Sequence, residues 1–326
     1  MSVSTPAKAS GQRIFIQEVG PRDGFQIEGR FIPTGEKIAL IDELSLCGLA
    51  KIEATSFTSP KAIPALADAD EVMRGLRRQP GVVYTALVPN LRGAERALAA
   101  GADELNLVMS ASETHNLLNL RMTREQSRAR LLEVVALAKG AGAALNVSLS
   151  CSFGCPMEGE VPPAVVLELA GCFLDQGVGG ITLCDTTGMA HPGQVAELCR
   201  AFRASFPQAE LTVHLHNTRG MGLANALAAV EAGADRFDAS LGGLGGCPYA
   251  PGATGNVCTE DLVHMLQAMG FRVDVDLPRL LAAARTLPGL LGHDVPGQVL
   301  HAGQSLDLHP VPATLAEIRV RALGQA

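Results

Sequence analysis

The chain has 326 residues, 47% of them hydrophobic, so it is long enough to bury a large core. Its formal charge of −7 and the lack of a long basic run argue against nucleic-acid binding, and no apolar stretch reaches transmembrane length. No secretion signal accompanies the eight scattered cysteines, so we expect reduced thiols in a cytoplasmic protein. Residues 1–12 are small and polar and are predicted to form a disordered tail.

The first apolar run leads directly into a turn with charged residues. Ile14 to Ile16 precede GPRDGFQIE (residues 20–28), which places Arg22 and Asp23 just past a strand, in a turn bounded by Gly and Pro. An aspartate oxygen suits a divalent cation, and a planar guanidinium suits a carboxylate or an enolate oxygen. The alternative for Asp23 is that it only caps the turn.

A repeating unit continues along the chain. A glycine precedes most of the apolar runs and helical patterns separate them, which is typical of βα repeats. The predicted strands are 13–19, 50–55, 82–88, 103–109, 143–149, 179–184, 210–216 and 235–240. Helical patterns include 37–47, 90–100, 124–139 and 225–232. Thr123 and Gln126 predict a capping box at the start of the third of these helices.

Eight strands that alternate with helices predict a (β/α)8 TIM barrel over residues 13–275. A short helical extension is expected over 276–326. An open doubly wound sheet is the competing fold, but no glycine-rich phosphate loop follows the first strand. In such a barrel the chemistry lies at the carboxyl ends of the strands. Those ends are polar here and carry Glu53, Ser56, Asn106, Asn146, Ser148, Asp185, Thr186, His214 and His216.

The seventh strand ends in two histidines that point the same way. Side chains alternate along a strand, so His214 and His216 share one face. Together with Asp23, the two imidazoles suit a divalent ion such as Mg, Mn or Zn. Asn256, in a glycine-rich loop, offers an amide oxygen, which favours an octahedral ion over a tetrahedral structural zinc. The alternative is that the histidines bond to backbone groups.

Two carboxylates and one thiol complete the candidate site. Glu53 and Asp185 need buried partners at their strand ends, and Arg22 is one such partner. A salt-bridge network that only closes the barrel remains an alternative, above all for Glu53. Cys247 lies in a glycine-rich loop, from which a thiol could donate a proton to a carbanion, although most cysteines only pack.

Together these motifs resemble the metal-dependent pyruvate-carboxyltransferase-like (DRE-TIM) barrel lyases, in the 3-hydroxy-3-methylglutaryl-CoA lyase-like group. The resemblance covers residues 13 to about 270. It is carried by GPRDGFQIE (20–28), IEATSF (52–57), CSFGCPMEGEV (151–161), Asp-Thr (185–186), HLHN (214–217) and GGLGGCPYAPGATGNVCTEDLVHM (242–265).

The resemblance implies roles for the candidate residues. The implied ligands of a divalent ion, Mg or Mn, are Asp23, His214, His216 and Asn256. The implied catalytic residues are Arg22, which stabilises an enolate, Glu53 and Asp185, which support the reacting centre, His214 and the proton donor Cys247. The expected substrate contacts are Arg22, Gln26, Ser56, Asn146, Ser148 and Thr186.

The implied reaction is a retro-Claisen cleavage of a branched 3-hydroxyacyl-CoA, with coenzyme A as part of the substrate. A base, His214 or Asp185, takes the hydroxyl proton, and the carbon–carbon bond breaks to give a keto acid and the enolate of acetyl-CoA. Asn146 and Ser148 stand where the familiar lyases carry Arg and Tyr. The substrate is therefore either 3-hydroxy-3-methylglutaryl-CoA or a relative such as citramalyl-CoA.

Other functions remain open. The isopropylmalate-type synthases share the barrel but usually carry a long regulatory domain, and 4-hydroxy-2-oxo acid aldolases would not explain Cys247. A zinc amidohydrolase would carry its His-x-His on the first strand. A non-catalytic ligand-binding barrel is the non-enzyme alternative. Lyases of this group are often dimers or larger, so a homo-oligomer is expected, without a membrane or nucleic-acid partner.

Overall fold

Eight parallel strands close into a barrel. The computed structural model of the protein describes residues 11–246 and 255–324. The strands are β1 (Arg13–Glu18), β2 (Lys51–Ser56), β3 (Val83–Val88), β4 (Glu104–Ser110), β5 (Ala144–Ser150), β6 (Gly180–Asp185), β7 (Glu210–Leu215) and β8 (Arg236–Ala239). Neighbours in sequence pair in order, and β1 pairs with both β8 and β2, which closes the ring. The predicted TIM barrel is confirmed.

Helices follow the strands and cover the outside of the barrel. They are α1 (Thr34–Ser45), α2 (Ala69–Gly75), α3 (Leu91–Ala99), α4 (Glu113–Leu120), α5 (Arg124–Ala141), α6 (Pro163–Leu174), α7 (Pro192–Ser205), α8 (Gly222–Glu231) and α9 (Thr259–Ala268). The extension holds α10 (Leu277–Ala284), α11 (Leu287–Leu291), α12 (Gln298–Ala302) and α13 (Leu315–Ala322). Every residue of β6 is buried, as expected for a strand covered on both faces.

The signals at helix ends predicted from the sequence are present. The Thr123 hydroxyl accepts from the backbone N–H of Gln126, and the Gln126 side chain accepts from the backbone N–H of Thr123. This capping box begins α5, whose C-terminus is Gly142 with φ of 71°, a conformation that favours glycine. The chain can therefore turn directly from α5 into β5.

One strand was not predicted. β9 (Arg272–Val273) pairs in parallel with the start of β1, at the amino-terminal end of the barrel. Two residues are too few to produce a periodic pattern. Of the tail predicted over residues 1–12, residues 1–10 lie outside the described part of the chain. No helix in the described part of the chain is long and apolar enough to cross a membrane.

The inside of the barrel is polar, which is unusual because branched apolar side chains dominate most TIM-barrel interiors. A cavity of about 10 Å³ lies among the inward-facing side chains and has room for about one water molecule. Its polar and charged lining residues are Gln17, Glu18, Lys51, Glu53, Thr85, Glu104, Asn106, Asn146, Thr182 and Asp238. This polar layer supports the carboxyl-terminal mouth of the barrel from below.

Candidate metal centre and active site

Three potential metal ligands meet at the carboxyl-terminal mouth. His214 ends β7 together with Leu215, His216 follows, and Asp23 lies in a helical turn, Gly20–Gly24, that follows β1. The Nε2 atoms of the two histidines lie 3.2 Å apart, and the Nε2 of His214 lies 4.0 Å from the Oδ2 of Asp23. Ligand atoms of an octahedral ion with bonds of about 2.1 Å lie about 3 Å apart along each edge. The three buried side chains can therefore hold a metal ion.

Asn256 brings a fourth potential ligand. Residues 255–257 run beside the end of β7, where Asn217 and Leu215 bond to their backbone. The Nδ2 of Asn256 donates to the carbonyl of Leu244 at 2.9 Å and to the Oδ2 of Asp23 at 2.7 Å. Its Oδ1 is buried without a hydrogen-bond partner in the described structure. A buried amide oxygen without a partner costs free energy unless a cation or a donor satisfies it. The donor set thus fits a hard or borderline divalent ion.

The ionisation states at this centre suit metal binding. Burial alone would raise the pKa of Asp23, but Arg22 and the two imidazoles outweigh it and lower that pKa to about 2. Burial and the neighbouring His214 lower the pKa of His216 to about 3. Burial lowers the pKa of His214, but the hydrogen bond and charge of Asp238 outweigh it and raise that pKa. At neutral pH Asp23 is therefore an anion and His216 a neutral ring.

Arg22 is held between two carboxylates. Its Nε donates to Glu53 and its Nη1 to Asp23. Gln26, one helical turn later, donates to the same Asp23 oxygen at 2.7 Å. Burial raises the pKa of Glu53, while Arg22 and Asn106 oppose that shift. The guanidinium therefore has a fixed position beside the metal centre.

A chain of amides and hydroxyls holds Glu53 from the other side. The Nδ2 of Asn106 donates to Glu53 at 2.7 Å. The Oδ1 of Asn106 accepts from Asn146 at 3.0 Å and from Ser148 at 2.9 Å. Asn146 also donates to Thr182 at 2.9 Å. The network links β2, β4, β5 and β6 across the inside of the barrel.

A cavity of about 360 Å³ opens above the metal centre. Its polar lining includes Arg22, Asp23, Gln26, Ser148, Thr186, His214, His216 and Asp238. Its apolar lining includes Ala62, Ile63, Leu87, Pro89, Val108 and Leu120. A small ligand with one charged end and one apolar part would find both kinds of contact there.

Comparisons with known proteins place the chain in a family. The model of the HMGL-like family matches residues 13–287. The chain belongs to the HMGL-like family. It is 45% identical to the hydroxymethylglutaryl-CoA lyase YngG of Bacillus subtilis over 294 residues, covering 90% of this chain and 98% of that protein. It is 42% identical to the human mitochondrial hydroxymethylglutaryl-CoA lyase over 291 residues, covering 89% and 90% of the two chains.

A solved structure agrees with this membership. The HMG-CoA lyase of Acinetobacter baumannii, solved in complex with coenzyme A and 3-methylmalate, superposes with a TM-score of 0.89 at 51% identity. The match covers 94% of this chain and all of that one. The resemblance inferred from the sequence motifs is confirmed.

The other predicted site residues of this HMGL-like chain occupy different positions. Thr186 lines the cavity and accepts from the backbone N–H of Cys151 at 3.0 Å. Ser56 is buried behind Thr58, which lines the cavity in its place. Asn146 lines the small polar cavity below. Cys247 lies outside the described residues.

Asp185 lies just outside the cavity wall. Its Oδ1 accepts from the backbone N–H groups of Met189 and Ala190, and its Oδ2 is buried without a hydrogen-bond partner in the described structure. Burial raises the pKa of Asp185 to about 6, although the two N–H groups oppose the shift. This carboxyl group can therefore exchange a proton near neutral pH.

Asp238 was not among the predicted site residues. It lies on β8, in register with His214, and its Oδ2 is 3.2 Å from the Nδ1 of that histidine. The signal was present, because alternation along Arg236–Ala239 turns residues 236 and 238 to the same face.

Proposed function

We propose that this protein is a divalent-metal-dependent carbon–carbon lyase that cleaves 3-hydroxy-3-methylglutaryl-CoA to acetyl-CoA and acetoacetate. The cluster of Asp23, His214, His216 and Asn256 carries this proposal, because it faces a cavity whose rim also holds Arg22. The similarity to hydroxymethylglutaryl-CoA lyases over about nine-tenths of the chain supports the choice of substrate.

The four ligand residues would hold Mg or Mn. Two neutral nitrogens, one carboxylate oxygen and one amide oxygen are ligands that suit Mg or Mn. Structural zinc, in contrast, usually has thiolate ligands. When bound, the ion supplies a Lewis acid that lowers the pKa of the substrate hydroxyl. All other steps are assigned to side chains of this chain.

Asp185 is our choice for the base that takes the hydroxyl proton. His214 has no electron pair to spare, because its Nε2 faces the metal centre and its Nδ1 faces Asp238. Asp185 has a buried oxygen without a described partner and a pKa of about 6, which suits proton transfer at neutral pH. Its chain neighbours Cys184 and Thr186 both line the cavity.

The bond between C2 and C3 then breaks, and negative charge develops on the thioester oxygen of the leaving acetyl-CoA. Arg22, fixed by Glu53 and Asp23, is the cationic side chain placed to stabilise that oxygen. We assign protonation of the enolate carbon to Cys247. Gly246, the residue before it, lines the cavity.

The test is an assay of the purified protein with Mn²⁺ or Mg²⁺ against 3-hydroxy-3-methylglutaryl-CoA and citramalyl-CoA. We expect release of acetyl-CoA and acetoacetate from the first compound, and loss of that activity with EDTA. Preferential cleavage of citramalyl-CoA would instead favour the related lyase. No cleavage of either thioester by metal-loaded protein would contradict the proposal.

Cys247→Ala tests the proton donor separately. Because the thiol acts after bond cleavage and is not a metal ligand, turnover should fall by orders of magnitude while Mn²⁺ stoichiometry is unchanged. Cys199→Ala, which removes a buried thiol on α7, is the matched control and should keep nearly full turnover. Nearly full turnover in Cys247→Ala would reject the assignment.

We also propose a cytoplasmic homo-oligomer. Cys47, Cys199 and Cys258 are buried free thiols, as is usual in a reducing compartment. Helix α13 buries none of its residues and exposes Leu315 and Ile318, which a second copy of the chain would cover. Light scattering of the purified protein would show a dimer or larger assembly, and a monomer would contradict this proposal.

A further inference from the structure

His214 and His216 have different surroundings although they belong to the same candidate centre. The Nδ1 of His214 lies 3.2 Å from the Oδ2 of Asp238. The Nδ1 of His216 is buried without a hydrogen-bond partner in the described structure. In the described structure, a carboxylate therefore holds the Nδ1 of His214, whereas the Nδ1 of His216 has no such partner.

The carboxylate of Asp238 determines which nitrogen of a neutral His214 ring carries the proton. A carboxylate only accepts hydrogen bonds, so the Nδ1 of His214 must be the donor. The Nε2 then keeps its electron pair, and this atom faces His216 and Asp23. In the other tautomer, the electron pair would face the carboxylate and a proton would point at the metal centre.

The fold positions this pair through backbone register. β7 and β8 pair in parallel, with His214 opposite Asp238. β8 pairs in turn with β1, with Asp238 opposite Gln17. Asp238 thus lies on a strand that is held on both sides, by β7 and by β1. Its side chain lines both the substrate cavity and the small polar cavity below.

We propose that Asp238 is a positioning residue that holds the His214 ring with Nε2 directed at the cation. This inference rests on the metal centre of the proposed function. A carboxylate that orients a metal-binding histidine typically contributes about 10- to 100-fold to metal affinity.

Asp238 could instead serve only as a counter-charge, because its charge also acts on Arg22. No hydrogen bond or ion pair joins Asp238 to a Lys or Arg in the described structure, whereas Arg22 already bonds two other carboxylates. A counter-charge acts through its charge alone, so Asp238→Asn and Asp238→Ala would then weaken Mn²⁺ binding equally and would leave the His214 tautomer unchanged. The two roles therefore give different experimental results.

The experiment measures Mn²⁺ affinity and the tautomer of His214 in Asp238→Ala and Asp238→Asn. Mn²⁺ dissociation constants come from electron paramagnetic resonance without substrate, and the tautomer comes from nitrogen-15 NMR of the metal-free protein. We expect the alanine variant to bind Mn²⁺ about 10- to 100-fold more weakly and to lose the dominance of the Nδ1–H form. The asparagine variant keeps an acceptor oxygen, so its loss should be smaller.

Asp235→Asn is the matched control. Asp235 lies just before the same strand and pairs with Arg203 at the opposite end of the barrel, so this change should leave Mn²⁺ affinity as in the unmodified protein. Thermal unfolding of the metal-free variants checks the fold. If the alanine variant does not fold, the asparagine variant still reports the tautomer and the affinity.

An affinity within twofold of the unmodified protein in folded variants, with the Nδ1–H tautomer retained, would overturn the inference. Absence of Mn²⁺ binding by the unmodified protein would overturn it together with the metal centre. If Mn²⁺ affinity depends on Asp238 but 3-hydroxy-3-methylglutaryl-CoA is not cleaved, the proposed function fails while the role of Asp238 stands.

Discussion

Two polar clusters share the carboxyl-terminal half of this barrel, and they differ in how completely their atoms are bonded. On the side of β2, β4, β5 and β6, the carboxylate of Glu53 and the side-chain amides of Asn106 and Asn146 form hydrogen bonds with other side chains. On the side of β1, β7 and β8, the buried Oδ1 of Asn256, a proposed ligand atom, has no described partner.

The difference separates groups that position from groups that bind. A buried polar group without a partner costs free energy, so it persists where function requires it. Both oxygens of Glu53 are bonded within the protein, so the Glu53 network can fix Arg22 without a ligand. On the metal side the Oδ1 of Asn256 has no partner in the described structure, and a bound cation would satisfy it. Substitutions on the two sides should therefore affect different measured quantities.

The largest expected effect is that of Asp23→Ala. This change removes the one carboxylate among the four proposed ligands and leaves two imidazoles and an amide, so Mn²⁺ binding should be lost and turnover should fall at least about 100-fold. Isothermal titration calorimetry with Mn²⁺ and an acetyl-CoA release assay measure both. Stoichiometric, tight Mn²⁺ binding by the folded variant would reject Asp23 as a ligand.

In the Glu53 network we expect a smaller effect, which falls on turnover and stability and not on metal binding. Asn106→Ala removes the amide that holds Glu53, so Arg22 loses its fixed position. We expect turnover to fall about 10-fold and the free energy of unfolding to fall by about 2–3 kcal/mol, with Mn²⁺ affinity unchanged. Steady-state kinetics, urea unfolding and calorimetry test the three statements.

Ser148→Ala is the matched control for that experiment. It removes one of the two donors to the Asn106 oxygen and leaves Asn146 in place, so unfolding free energy should fall by only about 1 kcal/mol. A large loss of Mn²⁺ affinity in either variant would contradict the separation of the two clusters.

Another buried carboxyl group, that of Glu260, should make the stability of the folded protein depend on pH. Both of its oxygens accept from the backbone N–H of Gly242, at the base of the glycine-rich loop, and burial raises its pKa to about 7. The folded state therefore prefers the protonated form. The resulting stability is fully present below pH 4.5, the ordinary pKa, and is lost as the pH rises through 7.

Glu260→Gln keeps the shape and stays neutral, so it should remove this loss. Between pH 4.5 and 7 the metal-free variant should gain stability relative to the unmodified protein, by at most about 3 kcal/mol. Urea unfolding at several pH values measures the gain. A constant difference over this range would show that Glu260 is ionised in the folded state.

Much of the fold could be predicted from the sequence because the local signals agree with the tertiary structure. Glycines after helices and apolar runs of six or seven residues located all eight barrel strands to within one or two residues. The additional strand β9 has only two residues and was not predicted. The capping box at Thr123 was also readable, since it depends only on residues three apart. The family, too, followed from motifs that are contiguous in the chain.

The arrangement around the site was less predictable. Alternation indicated that Asn146 and Ser148 face inward, but not that both bond to Asn106 on a neighbouring strand. The pairing of Asp238 with His214 depends on the register between β7 and β8, which no local pattern encodes. The roles assigned to Ser56 and Cys247 remain predictions.

The most direct test of the account is a crystal structure of the protein with Mn²⁺, with anomalous diffraction recorded at the manganese absorption edge. The account predicts one strong peak bonded to Asp23, to the Nε2 atoms of His214 and His216, and to the Oδ1 of Asn256. A peak elsewhere, or none at this position in crystals that hold Mn²⁺, would contradict it.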